Sequence, residues 1–438
     1  MKIQSLFFAV SLMLFLLFFD GSPALYAAEP TEERAWNSTA GTTITAKATR
    51  IENEVVTLIT GDGRSIEVPL GKLSEADQAF VTNHFQDDPA APPPATSSTG
   101  TPVADLAHPL GQTVGPITTP EGSNYFVYLP TTLKSDRKAP LILFTNAGGG
   151  SAKIVDHMIE GAELNGWIAA CSVESRNKND TDDNHRHCRN AVEHLFATLP
   201  IDEDRLYFTG GSGGGAMSLR NASEMNHAGA IPMIGYIPSG ATVSGGDYVV
   251  INGATDYNRY TSAHARKTFG DNAVHRFHPG GHSKGPFWLM TDAMTRLNGR
   301  YLADKGKDLT EERTDFEASL INWIQKLRDS NEPWRSYEWA LFLQEEYEIS
   351  GPNQPTVQEL VAELGADEIN RKYVEGLAAL DEFSEDQFSG VSTGSLMGHS
   401  TTSIQRAAEE LAEKYAGIPH IEETAIALGK PTVSQKNK

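Results

Sequence analysis

Residues 204–218 read DRLYFTGGSGGGAMS, and this stretch decides how the surrounding chain folds. An apolar run of strand-forming residues, 206–209, ends abruptly in glycine, and a helix-compatible pattern resumes at Ala216. Between them, residues 210–214 fit the pattern G-x-S-x-G with Ser212 at its centre. Glycines two positions before and after the serine let the strand and helix backbones approach each other closely. The stretch therefore predicts a strand, a tight turn and a helix, with Ser212 projecting from the turn.

A serine in such a turn is well placed to act as a nucleophile. The N–H of Gly213 would lie beside it at the N-terminus of the helix, where a negatively charged intermediate is stabilised. The alternatives are a plain glycine-rich turn or a phosphate-binding loop that opens a helix. No Lys-Ser or Lys-Thr follows at P-loop spacing, so the nucleophile is the favoured interpretation.

The composition limits the class of protein. The chain has 438 residues, which is typical of two or three domains, and 39% hydrophobic and 21% charged residues indicate a globular protein. Its formal net charge is −21 and it has no Lys/Arg-rich run, so we expect neither nucleic acid nor an anionic membrane surface as a partner. Two cysteines are too few for a disulfide scaffold or a four-thiolate zinc site.

Residues 1–28 have the pattern of a cleavable secretory signal. Lys2 precedes an apolar run of 14 residues, 6–19, and small residues follow. The run is short for a membrane span, which needs about 20 residues. We therefore expect a secreted or periplasmic protein without membrane insertion after cleavage, and a retained membrane anchor is the alternative.

Residues 35–86 are predicted to form a small β domain. Apolar and polar residues alternate in three runs separated by residues 52–53 and 61–63, as in a β-meander. Trp36 and the closing sequence VPLGKLSEADQ at 68–78 resemble a small SH3-like homology domain. The resemblance implies an interaction module for a protein or cell-surface ligand, and a spacer is the alternative. Residues 87–104 are rich in Pro, Ala, Ser and Thr, which predicts a linker.

Two further regions follow the linker. Residues 105–305 alternate strand-like and helix-like segments, which predicts a mainly parallel α/β sheet with helices on both faces. A helix is predicted at 188–199, and strands are predicted at 125–129, 140–145, 167–173, 206–209, 235–238 and 248–252. Residues 306–438 show only helical periodicity, as at Phe316, Leu320, Ile324 and Leu327, and predict an all-helical region.

Partners for Ser212 follow it in the chain. A serine nucleophile needs a base, and a carboxylate that orients the base. Asp256 comes just after the apolar strand 248–252, and His282 follows Pro279-Gly280-Gly281 in a later loop. His275 and His278 compete for the role of base, but they belong to a short strand-like run and should be held by the end of the sheet. The glycine-rich loop beyond that run is expected to deliver His282 to Ser212.

A second glycine-rich loop lies upstream, after the strand PLILFT at 140–145. Glycines there allow backbone N–H groups to turn towards the serine and supply the second half of an oxyanion hole. A plain loop is the alternative.

With these elements in order, residues 105–305 resemble the α/β-hydrolase superfamily, especially its secreted esterases and polyester depolymerases. The sequence LPIDEDRLYFTGGSGGGAM at 199–217 carries the resemblance most closely. It implies Ser212 as nucleophile, Asp256 as acid and His282 as base, without a cofactor. It also implies the N–H groups of Gly213, Ala147 and Gly148 as the oxyanion donors. There are two departures from the family pattern. A glycine follows Ser212 where a bulkier residue is usual, and the oxyanion loop begins Asn-Ala rather than His-Gly.

A polar cluster at 180–188 and the two cysteines remain. The cluster, Asp180, Asp182, Asp183, His185, His187 and Cys188, is expected to be a solvated polar loop beside the pocket rather than a zinc site, because no helical spacing fixes a third ligand. Cys171 and Cys188 are expected to form a disulfide after export, worth about 3 kcal/mol.

The sequence thus predicts an exported serine hydrolase that cleaves an ester. A peptidase of the same fold, or an inactive hydrolase-like protein that binds a surface ligand, are the alternatives.

Overall fold

The structure is a computed structural model. It describes residues 34–39, 42–52, 55–60, 65–74, 77–78, 81, 106, 108–238, 245–260, 268–269, 272–330, 332–388 and 402–432. The predicted signal, 1–28, and linker, 87–104, lie outside the described residues. The chain divides into two compact units, residues 1–102 and 103–438. In the described part of the chain, no helix is long and apolar enough to cross a membrane.

The first unit contains a four-stranded antiparallel sheet paired in chain order, which is the predicted meander. Its strands are β1 (Arg34–Asn37), β2 (Thr43–Glu52), β3 (Val55–Thr60) and β4 (Ser65–Pro69), and a 3-10 turn, Leu70–Lys72, follows. Trp36 is buried with Val56 and Leu58 on one side of the sheet. Buried Asp77 accepts hydrogen bonds from Arg34 Nη2 at 2.7 Å and from Ser74 Oγ at 2.8 Å. The SH3-like assignment of this unit stays a prediction.

The second unit is built around an eight-stranded sheet in the order β12-β11-β10-β9-β7-β8-β6-β5. The strands from β12 to β8 pair in parallel, and β6 and β5 add an antiparallel edge. The strands are β5 (Thr113–Thr118), β6 (Asn124–Tyr128), β7 (Ala139–Asn146), β8 (Ile168–Ser172), β9 (Ile201–Gly211), β10 (Gly229–Met233), β11 (Asp247–Gly253) and β12 (Ala273–His278). The predicted, mainly parallel sheet is confirmed.

Helices cover both faces of this sheet, because its central strands are apolar on both sides. On one face, α1 (Ala152–Asn165) and α4 (Phe287–Asp304) pack over Ile142, Phe144 and Tyr207. On the other face, α2 (Thr181–Thr198) and α3 (Gly213–Glu224) pack over residues of alternate parity on the same strands. The carboxyl ends of the parallel strands meet at one edge of the sheet, where ligands of such folds bind.

The predicted disulfide is wrong. Cys171 and Cys188 are both free and buried. Cys171 lies on β8 and packs with Phe144 and Met158 on the α1/α4 face, whereas Cys188 lies on α2 and packs with Leu195 on the opposite face. Because successive residues of a strand point to opposite faces, the sheet separates the two thiols.

Two local predictions are also corrected. The strand predicted at 235–238 is β10, Gly229–Met233, six residues earlier. Pro232 interrupts its apolar pattern, but burial between β9 and β11 selects the extended conformation, and Ile234 then ends the strand at a φ of 43°. The polar cluster at 180–188 is not a loop, because Asp180 caps α2 through Asp182 N and the later residues are helical.

The helical C-terminal region is confirmed. Its helices are α5 (Thr310–Asp329), α6 (Pro333–Leu341), α7 (Gln354–Leu364), α8 (Glu368–Phe388), α9 (Thr402–Lys414) and α10 (Ile421–Leu428). One π-helical turn, Phe342–Glu346, continues α6. Helices α5 to α7 share one apolar core. Helices α8 to α10 share another, which also contains Ala254, Tyr260 and Phe277 from the sheet end of the unit.

Candidate active site

Ser212 occupies the turn that joins β9 to α3. Its φ is 59° and its ψ is −121°, a backbone conformation that costs energy for any residue except glycine. The turn is too tight for side chains on its flanking glycines. A Cβ on Gly210 would lie 2.3 Å from the carbonyl oxygen of Thr145, and one on Gly214 would lie 2.1 Å from the same atom. Close packing of β9, β7 and α3 therefore holds the half-buried Ser212 at the carboxyl edge of the sheet.

The structure brings Ser212, His282 and Asp256 together. The distance from His282 Nε2 to Ser212 Oγ is 2.8 Å, and from His282 Nδ1 to Asp256 Oδ1 it is 2.9 Å. Since a carboxylate only accepts, Nδ1 carries the proton, which leaves Nε2 free to accept from the serine hydroxyl. In this tautomer, His282 can remove the proton of Ser212.

Asp256 is held in the turn after β11 and is fully buried. Its Oδ1 also accepts from the N–H of Asn258 at 2.9 Å, while Oδ2 has no hydrogen-bond partner among the described residues. Burial raises the pKa of Asp256 above its ordinary value, and the hydrogen bond from His282 opposes that rise. Among side chains, the imidazole of His282 is thus the partner to which Asp256 is hydrogen-bonded, and the N–H of Asn258 holds the same oxygen in place.

The loop that carries His282 is braced by His278, the last residue of β12. His278 Nε2 donates to the carbonyl oxygen of Ser283 at 2.9 Å, and its Nδ1 accepts from the N–H of Gly280 at 3.1 Å. Burial lowers the pKa of His278, which favours the neutral ring. His275 is buried further back on β12, where its Nδ1 lies 3.6 Å from Asp381 on α8. β12 thus holds both histidines, as predicted, and the histidine that is hydrogen-bonded to Ser212 is His282.

The glycine-rich loop after β7 lies beside the nucleophile turn. Gly149 N donates to the carbonyl oxygen of Asn146 at 3.0 Å, and the Asn146 side chain donates to the carbonyl oxygen of Gly149 at 3.0 Å. These two bonds close a tight turn in which Gly149 has a φ of 92°. Ala147 and Gly148 form the tip of this turn, and Asn146 Cα lies 2.9 Å from where a Cβ on Gly214, the second residue of α3, would be. As the first residue of a helix, Gly213 has no intrahelical acceptor for its N–H.

Asn177 is a site residue that the sequence did not reveal. A Cβ on Gly213 would lie 2.0 Å from Asn177 Oδ1, so the Asn177 side chain fills the space beside Gly213. The Asn177 N–H also donates to the carbonyl oxygen of Ala147 at 2.9 Å. This contact accounts for the glycine after Ser212, which departs from the family pattern. The only signal in the sequence was that departure.

Tyr257 and Lys284 also lie in the site and were missed. Tyr257 follows Asp256, and its hydroxyl oxygen is 2.8 Å from His282 Nε2. The aliphatic carbons of Lys284 pass within 3.1 Å of where a Cβ on Gly211 would be. Both are sequence neighbours of triad residues, but nothing in the sequence distinguished them from ordinary loop residues.

The polar residues at 180–188 are distributed among separate partners. His185 is bonded to Asn221 Oδ1 at 2.9 Å, and His187 to Ser123 Oγ at 2.8 Å. In the described residues, no group of three or more His, Cys, Asp or Glu side chains is arranged to hold a metal ion. The helix therefore directs these side chains into structural contacts.

No protein-family model and no curated protein matches this chain. Solved structures with a similar fold include an arylesterase, 12% identical, covering 45% of this chain and 88% of that one at a TM-score of 0.36. A hyperthermophilic esterase from the archaeon Pyrobaculum calidifontis is 14% identical and covers 46% and 90% at a TM-score of 0.37.

A variant of the feruloyl esterase module from Clostridium thermocellum, complexed with sinapinate, is 15% identical and covers 43% and 87% at a TM-score of 0.36. Each of these likenesses covers less than half of this chain, and at such identities and TM-scores they carry no information about its activity.

Proposed function

We propose that this chain is a serine hydrolase that cleaves carboxylic esters through an acyl-enzyme on Ser212. The observation that carries the proposal is the continuous hydrogen-bonded series from Ser212 Oγ through His282 to Asp256, with the serine on a strained turn between a strand and a helix. Serine is a weak nucleophile unless a base takes its proton, and this series supplies the base and its orienting carboxylate.

The first half-reaction forms the acyl-enzyme. Ser212 Oγ attacks the acyl carbon while its proton passes to His282 Nε2, and the carbonyl oxygen becomes an oxyanion. The N–H groups of Gly213 and of Ala147 or Gly148 are the proposed donors to that oxygen. As the intermediate collapses, His282 returns the proton to the leaving alcohol oxygen. Asp256 stabilises the imidazolium throughout and stays ionised.

The second half-reaction releases the acid. A water molecule gives its proton to His282 Nε2 and attacks the acyl carbon, and the proton then passes to Ser212 Oγ as the ester bond to the enzyme breaks. No step requires a metal ion or an organic cofactor. A peptidase would use the same groups, but it must also protonate a poorer leaving group, the amide nitrogen.

The test is labelling by a fluorophosphonate probe, together with turnover of p-nitrophenyl acetate, p-nitrophenyl butyrate and a peptide anilide. We expect labelling of the wild-type protein and faster ester than anilide cleavage. Ser212→Ala should lose labelling and turnover, whereas Ser223→Ala, at the far end of α3, should keep both. Labelling of folded Ser212→Ala would contradict the assignment of the nucleophile. An unlabelled wild-type protein would favour the inactive surface-binding alternative, and faster anilide cleavage would favour a peptidase.

Two further parts of the proposal concern the N-terminal region. We propose that residues 1–28 direct export. N-terminal sequencing of the protein from the culture supernatant or periplasm would test this: a mature chain beginning near residue 29 is expected, and an intact Met1 would contradict it.

We also propose that the first unit, with its resemblance to SH3-like modules, binds a protein or cell-surface ligand. Loss of binding to intact cells on deletion of residues 35–86 is the expected result.

A further inference from the structure

The last helix of the described chain, α10, is attached at both ends to loops of the candidate active site. At its start, His420 Nε2 lies 2.8 Å from the carbonyl oxygen of Phe277. A carbonyl only accepts, so the His420 ring donates this bond. At its end, the carbonyl oxygen of Leu428 accepts from Arg259 Nη1 at 3.1 Å. One helix of eight residues is therefore bonded to Phe277 and Arg259, which lie 143 and 169 positions from their partners at its two ends.

These two points adjoin the triad acid and the triad base. Phe277 is the residue before His278, which braces the loop carrying His282. Arg259 is three residues after Asp256, and its N–H donates to the Asp256 carbonyl oxygen at 3.1 Å. Arg259 Nη1 also donates to the carbonyl oxygen of Ala254, on the other side of Asp256. Arg259 thus binds both flanks of the acid turn, one through its backbone N–H and the other through its guanidinium, which also binds the end of α10.

Arg259 is built into the structure rather than exposed on its surface. Its side chain is fully buried, and the rings of Tyr260 and Phe388 each lie 5.1 Å from its Cζ. Nη2 donates to the Tyr260 hydroxyl at 3.0 Å. A buried charge is costly unless it is hydrogen-bonded, so the bonds of Nη1 and Nη2 favour the observed geometry, although Nε has no hydrogen-bond partner among the described residues.

Apolar packing supports the same connection. Ala254, Tyr260 and Phe277 belong to one buried cluster with residues of α8, α9 and α10. The two loops also bond to each other directly, since Ala254 N donates to the His278 carbonyl oxygen at 2.7 Å. Helix α10 and the rest of this cluster pack against the two loops and restrict the position of both.

We propose that α10 is a positioning element of the active site, which acts through Arg259 and His420 to hold Asp256 in register with His282. This inference rests on the proposed function and assigns a role to the helical region. Arg259 and His420 are positioning residues, because both act through the loops and not on the substrate. A displacement of about 1 Å in a catalytic group can cost about 100-fold in rate.

The test uses the full-length protein and the rate of fluorophosphonate labelling and of p-nitrophenyl butyrate turnover. Arg259→Met should lower kcat about 10- to 100-fold with little change in KM. Arg259→Lys, which keeps a donor, should recover part of the loss. Arg313→Met is the matched control, because Arg313 also donates to a carbonyl, of Leu302, and stacks on Tyr347, but far from Asp256. Arg313→Met should have a kcat close to that of the wild type.

The decisive comparison is made in an Asp256→Asn background. If Arg259 acts by placing Asp256, Arg259→Met should change the residual labelling rate there by less than about twofold, since the acid it positions is already lost. An equal loss in both backgrounds would overturn the proposal and leave only a general structural role. If Arg259→Met does not fold, His420→Leu, with His420→Gln as the donor-retaining rescue, should give the same pattern. If Ser212→Ala retains labelling, the proposed function is wrong, whatever the result for the Arg259 variants.

Discussion

Tyr257 covers one face of His282. The two ring centroids are 4.3 Å apart with the planes inclined by 24°, and the Tyr257 hydroxyl oxygen is 2.8 Å from Nε2. Nε2 is therefore within hydrogen-bond distance of two hydroxyls, those of Tyr257 and Ser212, while the Tyr257 ring packs on the imidazole. We expect the stacked ring, which restricts rotation of His282, to matter more for catalysis than the Tyr257 hydroxyl.

We expect Tyr257→Phe to label with fluorophosphonate within about threefold of the wild-type rate. Tyr257→Ala should label about tenfold more slowly, because His282 loses the ring that stacks on it and restricts its rotation. Labelling rates of the two variants at one pH provide the measurement. A loss of about 100-fold in Tyr257→Phe would instead assign the hydroxyl a direct role in proton transfer.

His282 and His278 should differ sharply on substitution. His282→Ala is expected to lower kcat by about three orders of magnitude or more, on the scale of triad deletions. His278→Ala removes the bonds to Ser283 and Gly280 and should act mainly through the stability of the loop, at a far smaller cost in kcat. Steady-state ester turnover and thermal unfolding of both variants separate these effects. The assignment is wrong if His278→Ala is the inactive variant.

Gly213→Ala should act through Asn177. The new methyl group takes the space of Asn177 Oδ1, and that side chain can rotate away because it is exposed. We expect a folded protein with kcat lowered about tenfold, and a similar decrease of kcat in Asn177→Ala. The double variant should be no worse than Asn177→Ala alone, since both substitutions remove one contact. Additive losses in the double variant would show that the two residues act separately.

His420 should make the protein sensitive to acid. Burial lowers the pKa of His420 from 6.5 to about 4 in the folded protein. The unfolded chain therefore binds the proton more tightly, so the stability contribution is complete above about pH 6.5 and is lost as the pH falls towards 4. The loss is about 3 kcal/mol at most. Urea unfolding at pH 7 and pH 4.5 should show a smaller decrease for His420→Gln than for the wild type, and equal decreases would contradict the assignment.

The two cysteines should stay reduced. Burial raises the pKa of Cys171 to about 12 and also raises the pKa of Cys188, so neither thiolate forms readily in the folded protein. Titration of the unreduced protein should detect almost no reactive thiol in the native state and two thiols after denaturation. If the denatured protein contained no titratable thiol, a disulfide would be present, and the placement of Cys171 and Cys188 on opposite faces of the sheet would be wrong.

Much of the fold follows from local patterns. The glycines around Ser212 predicted the turn, because a strand and a helix can meet so closely only where Cβ atoms are absent. Alternating strands and helices predicted a mainly parallel sheet, and the helical periodicity after residue 305 predicted the C-terminal region. The order of Ser212, Asp256 and His282, each placed after a strand, pointed to the three side chains that the structure brings within hydrogen-bond distance.

Other features depend on contacts between distant residues, which no local pattern records. The spacing of Cys171 and Cys188 suited a disulfide, but the parity of β8 and the position of α2 place them on opposite faces of the sheet. Pro232 lies in a strand because burial between two neighbours outweighs its local preference.

The contacts around the triad were decided in the same way. Asn177 meets Gly213, and α10 meets both the acid turn and the base loop, only after the chain has packed. Local sequence determined which helices and strands form and which polar residues lie at their ends. The packing of distant residues, such as Arg259 and Leu428, which are 169 positions apart, decided which of those side chains meet, because hydrogen bonds depend on distances in space.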